Sequence, residues 1–402
     1  MPVPERPQLR PYLTIASDHN RLLVLADGLR LSDRQLRVTP QELGWIQLFD
    51  GTRTLRDVQA AAMRRAGGQL LPLELFARLA ARLEEAFFLD GPRFRQIVEG
   101  SIRPPSCIGA YAAEPNLLRR QLTQLFTASD GPGLPGEPRP DSGLRAALVP
   151  HIDYARGGST YGWGFKEVVE KTDAALFVIV GTSHYSGQRF SLTRKHFRTP
   201  LGIARTNQAF VDRLVGHYGD GLFDDELMAH LPEHSIELEV VLLQYLLDGK
   251  RDFRIVPLVV GSFQDCVLGG RNPMACADVA RMVDALRATL RETDEPVFFL
   301  ISGDLAHLGP KFGDPLPVEE PVLMRSRNMD QAILQQAAAA DPAGYFQVIA
   351  AEGDARRICG LPPTYLVLET LRPKKGQVLH YGQYVHPAGE ESVSFASMAF
   401  YE

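Results

Sequence analysis

Three apolar runs in this chain each stop at a histidine-bearing tip, and no other feature constrains the fold as strongly. Ala146-Ala147-Leu148-Val149-Pro150 runs into His151. Leu176 to Gly181 runs into Thr182-Ser183-His184. Phe298 to Ser302 runs into Gly303-Asp304-Leu305-Ala306-His307. Continuous apolar runs of this length fit strands covered by helices on both faces. The expected strands are Ala146–Val149, Ala175–Val180, Phe253–Val260, Val297–Ser302 and Ser394–Phe400. Helical stretches lie between them at Phe165–Lys171, Gln208–His217, Ile236–Leu247, Cys276–Arg291, Arg325–Ala339 and Thr364–Leu371. The expected fold is therefore α/β, a layered mixed or mostly parallel sheet flanked by helices. Open α/β sheets place ligands at the carboxyl ends of their strands. Histidine is only 10 of 402 residues, so three such tips point to one shared site. Imidazole is both a common metal ligand and a neutral-pH acid or base.

Residues 1–97 read as a separate small domain. Thr39 is an expected N-cap, Pro40 the first helical residue and Glu42 the capping-box partner. Leu43, Ile46 and Leu48-Phe49 give that helix an apolar face. Asp50-Gly51-Thr52 makes a turn, and Thr54 caps a second helix through Ala66 that Gly67-Gly68 ends. A third runs from about Pro72, as a first helical residue, to Phe88, with Leu75, Leu79, Leu83 and Phe87 on one face. Two strand-like runs precede these helices, Leu22–Leu25 and Leu29–Leu31, split by Asp27-Gly28. This order, with "LFDGTRTLRDV" and "LEEAFFLDG", resembles the PqqD-like small winged-helix domain. The resemblance implies binding of a peptide or partner protein, and no catalysis. The second domain is expected over 105–402. It includes a helix at Asn116–Phe126, with an apolar face at Leu117, Leu118, Leu122 and Leu125, and a Gly/Pro-rich loop at 129–143.

A formal net charge of −5 gives no global attraction to nucleic acid or to anionic membrane. No run of 18 apolar residues occurs, so no transmembrane helix is expected. The opening MPVPERPQLR has no apolar core of a signal peptide, and cytoplasm is the expected location. Four cysteines without CxxC spacing do not make a disulfide scaffold in a chain this long.

Two further segments join the histidines. Glu233-His234-Ser235-Ile236-Glu237 opens a helix after Pro232, and the i,i+3 spacing puts His234 and Glu237 on one face. Arg357-Ile358-Cys359-Gly360 precedes another helix. A cysteine near a helix N-terminus has a favoured thiolate and can ligate a soft or borderline metal. The ordered set "VPHIDY", "VGTSHYSG", "FRTPLG", "EHSIELE", "PLVVG", "ISGDLAHLG", "CGLPPT" and "VSFASMAFY" resembles the MEMO family, also called AmmeMemoRadiSam system protein B. The resemblance spans nearly all of Ala110–Glu402.

It implies the fold of class III extradiol dioxygenases, which are non-haem Fe(II) enzymes. It also implies a pocket of three histidines and a cysteine, here His151, His184, His307 and Cys359. Asp304 is implied to orient His307. His307, Asp304 and His234 are the expected catalytic groups. Tyr154, Ser183, Glu233 and Arg198 are the expected substrate-binding ones. Iron(II) or copper is the implied cofactor, with zinc a further option, and a radical-SAM enzyme and an AMMECR-type protein are the implied partners. The chain departs from the family pattern at Ile152-Asp153, at Gly303 in place of a serine, and at Ala110-Tyr111. The N-terminal domain is extra to the basic unit. Two functions follow: a metal-dependent, dioxygenase-like oxidoreductase, or a peptide- or protein-binding adaptor with a catalytically silent pocket. A third is a site that only stabilises the fold. The cysteine argues against extradiol ring cleavage itself, because those enzymes carry a carboxylate there and thiolate beside Fe(II) and O₂ risks oxidation.

Overall fold

The structure, a computed structural model, describes residues 4–18, 22–140 and 143–402. The chain divides into two units, Met1–Ser106 and Cys107–Glu402.

The first unit begins with an antiparallel sheet of β1 (Leu13–Ser17), β2 (Leu23–Asp27) and β3 (Leu36–Val38), in that order. Helices follow at Pro40–Ile46, Leu55–Arg65, Leu73–Glu85 and Pro92–Glu99, then a short strand β4 (Ile102–Arg103). Both expected caps are present. The Thr39 hydroxyl accepts the Glu42 amide while the Glu42 carboxylate accepts the Thr39 amide, and Thr54 and Asp57 repeat the arrangement. Gly67 and Gly68 both have positive φ and end the second helix. Pro72 is the N-cap of the third helix rather than its first residue. Phe76, Leu79 and Leu83 of that helix pack against Ile46, Phe49 and Val58.

Leu29–Leu31 is not a strand. The Asp27 carboxylate accepts the amides of Leu29, Leu31 and Ser32 and winds the segment into a turn, with Arg30 at φ 54°. Sequence reasoning missed β1, whose residues are mostly exposed, and the short β3 and β4, of three and two residues.

The second unit contains β5 (Leu144–Val149), β6 (Leu176–Thr182), β7 (Phe190–Leu192), β8 (His196–Thr199), β9 (Gly202–Thr206), β10 (Arg254–Val260), β11 (Val297–Ser302), β12 (His307–Leu308), β13 (Lys375–Val385) and β14 (Ser392–Tyr401). Their spatial order is β12-β14-β5-β11-β6-β10-β9-β8, with β13 on β14 and β7 on β10. β5, β11, β6, β10 and β9 pair in parallel, and the margins are antiparallel.

The apolar runs behave as read. Alternate residues of each central strand enter different cores: Leu176, Val178 and Val180 one, Phe177 and Ile179 the other. Helices Gln208–Tyr218, Ala277–Arg291, Glu320–Ala338 and Leu361–Leu371 cover the first face. Helices Pro115–Thr127, Ser159–Lys171 and Glu237–Leu247 cover the second. Leu117 does not join that packing; it is 49% exposed, while Leu118, Leu122 and Leu125 are buried. No helix of the described residues is long and apolar enough to cross a membrane.

A candidate metal centre at the strand ends

β11 lies between β5 and β6, in a register that sets Ser302 opposite Val149 on one side and Gly181 on the other. The three carboxyl ends thus emerge side by side, which brings His151, His184 and the Asp304–His307 segment together. Cys359 enters from the turn before helix Leu361–Leu371. Its Sγ lies 3.1 Å from His151 Nε2, and its carbonyl accepts the Thr182 hydroxyl at 2.7 Å. The ligand atoms of His151, His184 and Cys359 all lie within 4.8 Å of one another, as do those of Asp304, His307 and Cys359. Donors around a tetrahedral ion at ordinary bond lengths sit roughly 3.3–3.8 Å apart. Each set of three could hold a metal ion of the kind that nitrogen and sulfur donors bind, with small inward shifts of its ligand atoms.

Each ring is held through Nδ1. His307 Nδ1 faces the carbonyls of Leu305 (3.1 Å) and Arg357 (3.0 Å). Arg357 adopts φ 58°, a costly conformation for a residue with a side chain, and its guanidinium donates to the His307 carbonyl. His184 Nδ1 sits 3.0 Å from the buried Glu233 carboxylate, which also accepts the amides of His184, His234 and Ser235. His151 Nδ1 lies 3.4 Å from the Ser302 hydroxyl, which donates to Glu239 at 2.9 Å. Fixing one ring nitrogen in this way sets both tautomer and orientation at metal sites.

Burial disfavours the charged forms of His151, His307, Asp304 and Cys359. It drives His151 well below the usual imidazole range, assisted by His184, and takes His307 down to about 4. It pushes Asp304 up to about 7 and Glu239 well above the carboxylate range. At Glu233, burial works in the same direction, but the charges and hydrogen bonds of His184 and His234 overcome it and hold the carboxyl low. The Cys359 thiol is pushed well above its ordinary value by burial and then by Asp304. That corrects the expectation of a favoured thiolate: the helix N-terminus is outweighed by desolvation. Uptake of a cation by such a site releases the thiol proton.

The other expected residues divide between the site and elsewhere. Asp304 serves His151 rather than His307: its carboxylate accepts the His151 amide at 3.0 Å and lies 3.8 Å from Nε2. His234 stacks on His184, with ring centroids 4.6 Å apart, and its Nδ1 is 3.3 Å from Glu233. Glu237 does not work with His234; it accepts the Cys107 amide and the Tyr111 hydroxyl. Tyr154 is buried, its hydroxyl donating to the Leu238 carbonyl. Arg198 lies exposed on β8, in the hairpin with β9. Ser183 lines a cavity of about 190 Å³ that reaches Cys359, with Gln264 and Arg357 on its wall. A larger cavity, about 700 Å³, lies at the other end of the strands near Ala175 and Arg254 and has no histidine or cysteine in its lining. Ser302 and Glu239 were missed by sequence reasoning. A signal existed for Glu239, a carboxylate in the first turn of a helix whose next four residues are Val and Leu.

The departure at Gly303 has a steric reason. A Cβ there would meet Gly360 Cα at 2.6 Å, so the strand end and the cysteine turn approach backbone to backbone. Gly303→Ser is expected to displace Gly360 and Cys359, weakening metal binding about 10-fold with a stability loss of roughly 1–3 kcal/mol. Competitive metal titration and denaturant melts measure both.

The family model described as Memo-like protein matches residues 103–399. A MEMO1 family protein of Aquifex aeolicus is 26% identical over 376 residues, covering 90% of this chain and 92% of its own. A MEMO1 family protein of Methanopyrus kandleri is 26% identical over 307 residues, covering 74% of this chain and 98% of its own. The first alignment extends into the N-terminal unit, whereas the second is of the length of the second unit alone. A solved structure of an uncharacterized Escherichia coli K12 protein is 14% identical, covering 64% of this chain and 99% of its own with a TM-score of 0.37.

Proposed function

The chain belongs to the Memo-like protein family, and we propose that its second unit holds iron or copper through His151, His184, His307 and Cys359 as a non-haem, dioxygenase-like oxidoreductase. One observation carries the reading. One group of possible ligands joins His151, His184 and the half-buried Cys359, a second joins Asp304, His307 and the same Cys359, and the Nδ1 of each of the three rings is held by a protein partner. A histidine that only packs a strand end needs no such coordinated orientation. The ion supplies redox chemistry and Lewis acidity when bound.

The chain's own residues do the positioning. Glu233 fixes His184 and His234, Ser302 and Glu239 fix His151, and the Arg357 carbonyl fixes His307. His234 stands beside the ligands, outside the groups that contain Cys359, in place to exchange a proton with a bound molecule. The cavity of about 190 Å³ is smaller than pockets for drug-sized ligands. It suits a small polar molecule or one side chain of a peptide. A peptide substrate agrees with reading the first unit as a PqqD-like binding domain and with partnership with a radical-SAM enzyme and an AMMECR-type protein. The Aquifex aeolicus relative extends through most of that unit.

The test is elemental analysis of protein purified anaerobically without a metal-affinity tag, beside a His151→Ala/His307→Ala double variant. About one iron or copper per chain in the wild type, and none in the variant, is the expected result. A wild type that is metal-free and takes up no added Fe(II), copper or zinc sinks the reading and leaves the adaptor.

A further inference from the structure

Two cysteines meet outside the histidine site. Cys266 lies in the short helix Gln264–Leu268 and is fully buried, and Cys276 is the half-buried N-cap of helix Ala277–Arg291. Their sulfurs lie 3.0 Å apart. That is inside the roughly 3.5–4.0 Å at which even carbon atoms rest against one another. The intervening turn holds them there without a covalent bond. Arg271 N–H donates to the Cys266 carbonyl, Cys276 N–H to the Pro273 carbonyl, and the Asn272 side chain accepts both the Met274 amide and the Tyr365 hydroxyl.

We propose that Cys266 and Cys276 are a reversible redox pair that closes to a disulfide in exchange with a small-molecule disulfide. The more exposed Cys276 attacks first. Its thiolate displaces one thiol of the small disulfide and forms a mixed disulfide. Cys266 loses its proton, attacks the Cys276 sulfur and displaces the second small thiol. One S–S bond forms in the protein as one breaks in the reagent, and the two cysteine protons end on the two thiols released. Burial pushes the Cys266 thiol up to about 12, in keeping with its coming second.

A cation is the competing occupant, because Asp265 brings a third donor within 4.8 Å of both sulfurs. Arg189 disfavours it. Its guanidinium donates to Asp265 at 2.8 Å and to Asp278 at 3.2 Å, so these carboxylates already have their positive partner. The pair is next to the wall of the smaller cavity: Phe263 and Gln264, at the start of the Cys266 helix, line it together with Cys359. Closing the bond ties that wall to helix Ala277–Arg291.

The experiment equilibrates the full chain with oxidised and reduced glutathione at a series of ratios, quenches with acid, denatures, alkylates and maps the peptides by mass spectrometry. The expected result is one intrachain Cys266–Cys276 peptide and loss of two of the four alkylatable thiols, both restored by excess reduced glutathione. Cys276→Ser should abolish the linked peptide and leave Cys266 alkylatable. Four alkylatable thiols at every ratio, or only glutathione adducts and interchain links, overturn the proposal. So does stoichiometric zinc uptake by the Cys359→Ser variant that the added Cys276→Ser change removes, which would mark a cation site instead.

Discussion

Glu233→Ala is expected to be the most damaging single change at the site, costing about 3–5 kcal/mol of stability. The carboxylate is 1% exposed. It accepts three backbone amides, from His184, His234 and Ser235, at 2.8–3.0 Å, and anchors two imidazoles through Nδ1. Alanine leaves those amides without an acceptor in a space closed to water, and each buried orphan costs about 1–3 kcal/mol. Glu233→Gln keeps the volume and one acceptor oxygen, so its loss should be distinctly smaller. Tryptophan fluorescence reads the effect unit by unit, because the two tryptophans, Trp45 and Trp163, lie one in each unit. In a Trp45→Phe background, the denaturant midpoint belongs to the second unit. An alanine variant within about 1 kcal/mol of its parent would show that the carboxylate is no anchor.

Cys359→Ser should act on metal binding and leave stability almost untouched. The sulfur is the softest donor of the group, and it alone belongs to both the His151–His184 set and the Asp304–His307 set. Serine is smaller, harder and not ionised at neutral pH, so affinity for copper or cobalt is expected to fall on the order of 100-fold. The apo protein exchanges only weak sulfur contacts, those with His151 Nε2 at 3.1 Å and with the Asp304 amide at 3.3 Å, for ones a hydroxyl can also make. Visible absorption of the cobalt- or copper-loaded protein supplies an independent readout. The sulfur-to-metal charge-transfer band should be present in the wild type and absent in the variant. A band that survives the substitution would place sulfur outside the ligand set.

The legible part of the fold was the part governed by burial on two faces. β5, β6, β10 and β11 announce themselves because nearly every residue is apolar, and histidines stand out in the polar tips that follow β5, β6 and β11. The caps at Thr39 and Thr54 were legible because a capping box is a local transaction between residues three apart. β13 was not, since it pairs only with β14 and its residues are half-buried or exposed. Neither was the pairing of Asp304 with His151, or the chain from Glu239 through Ser302. Those contacts join residues 153, 151 and 63 positions apart, and the strand order that makes them neighbours is written in no short motif. The Cys359 thiol was misjudged because helix position is local and visible, whereas desolvation depends on everything packed around it.

The placement of β11 between β5 and β6 also dictates when the site can exist. β5 and β6 are made early and supply His151 and His184. Yet they are not neighbours in the finished sheet, and the strand that joins them lies more than a hundred residues further along the chain. Until it arrives, the two earlier strands have no native partner in common. Native contacts of such long sequence separation form slowly. Of the candidate ligands, His151, His184, Glu233 and His234 are made before β11, whereas Asp304, His307 and Cys359 follow it. The two groups that contain Cys359 are complete only once the central strand and, later still, the cysteine are in place.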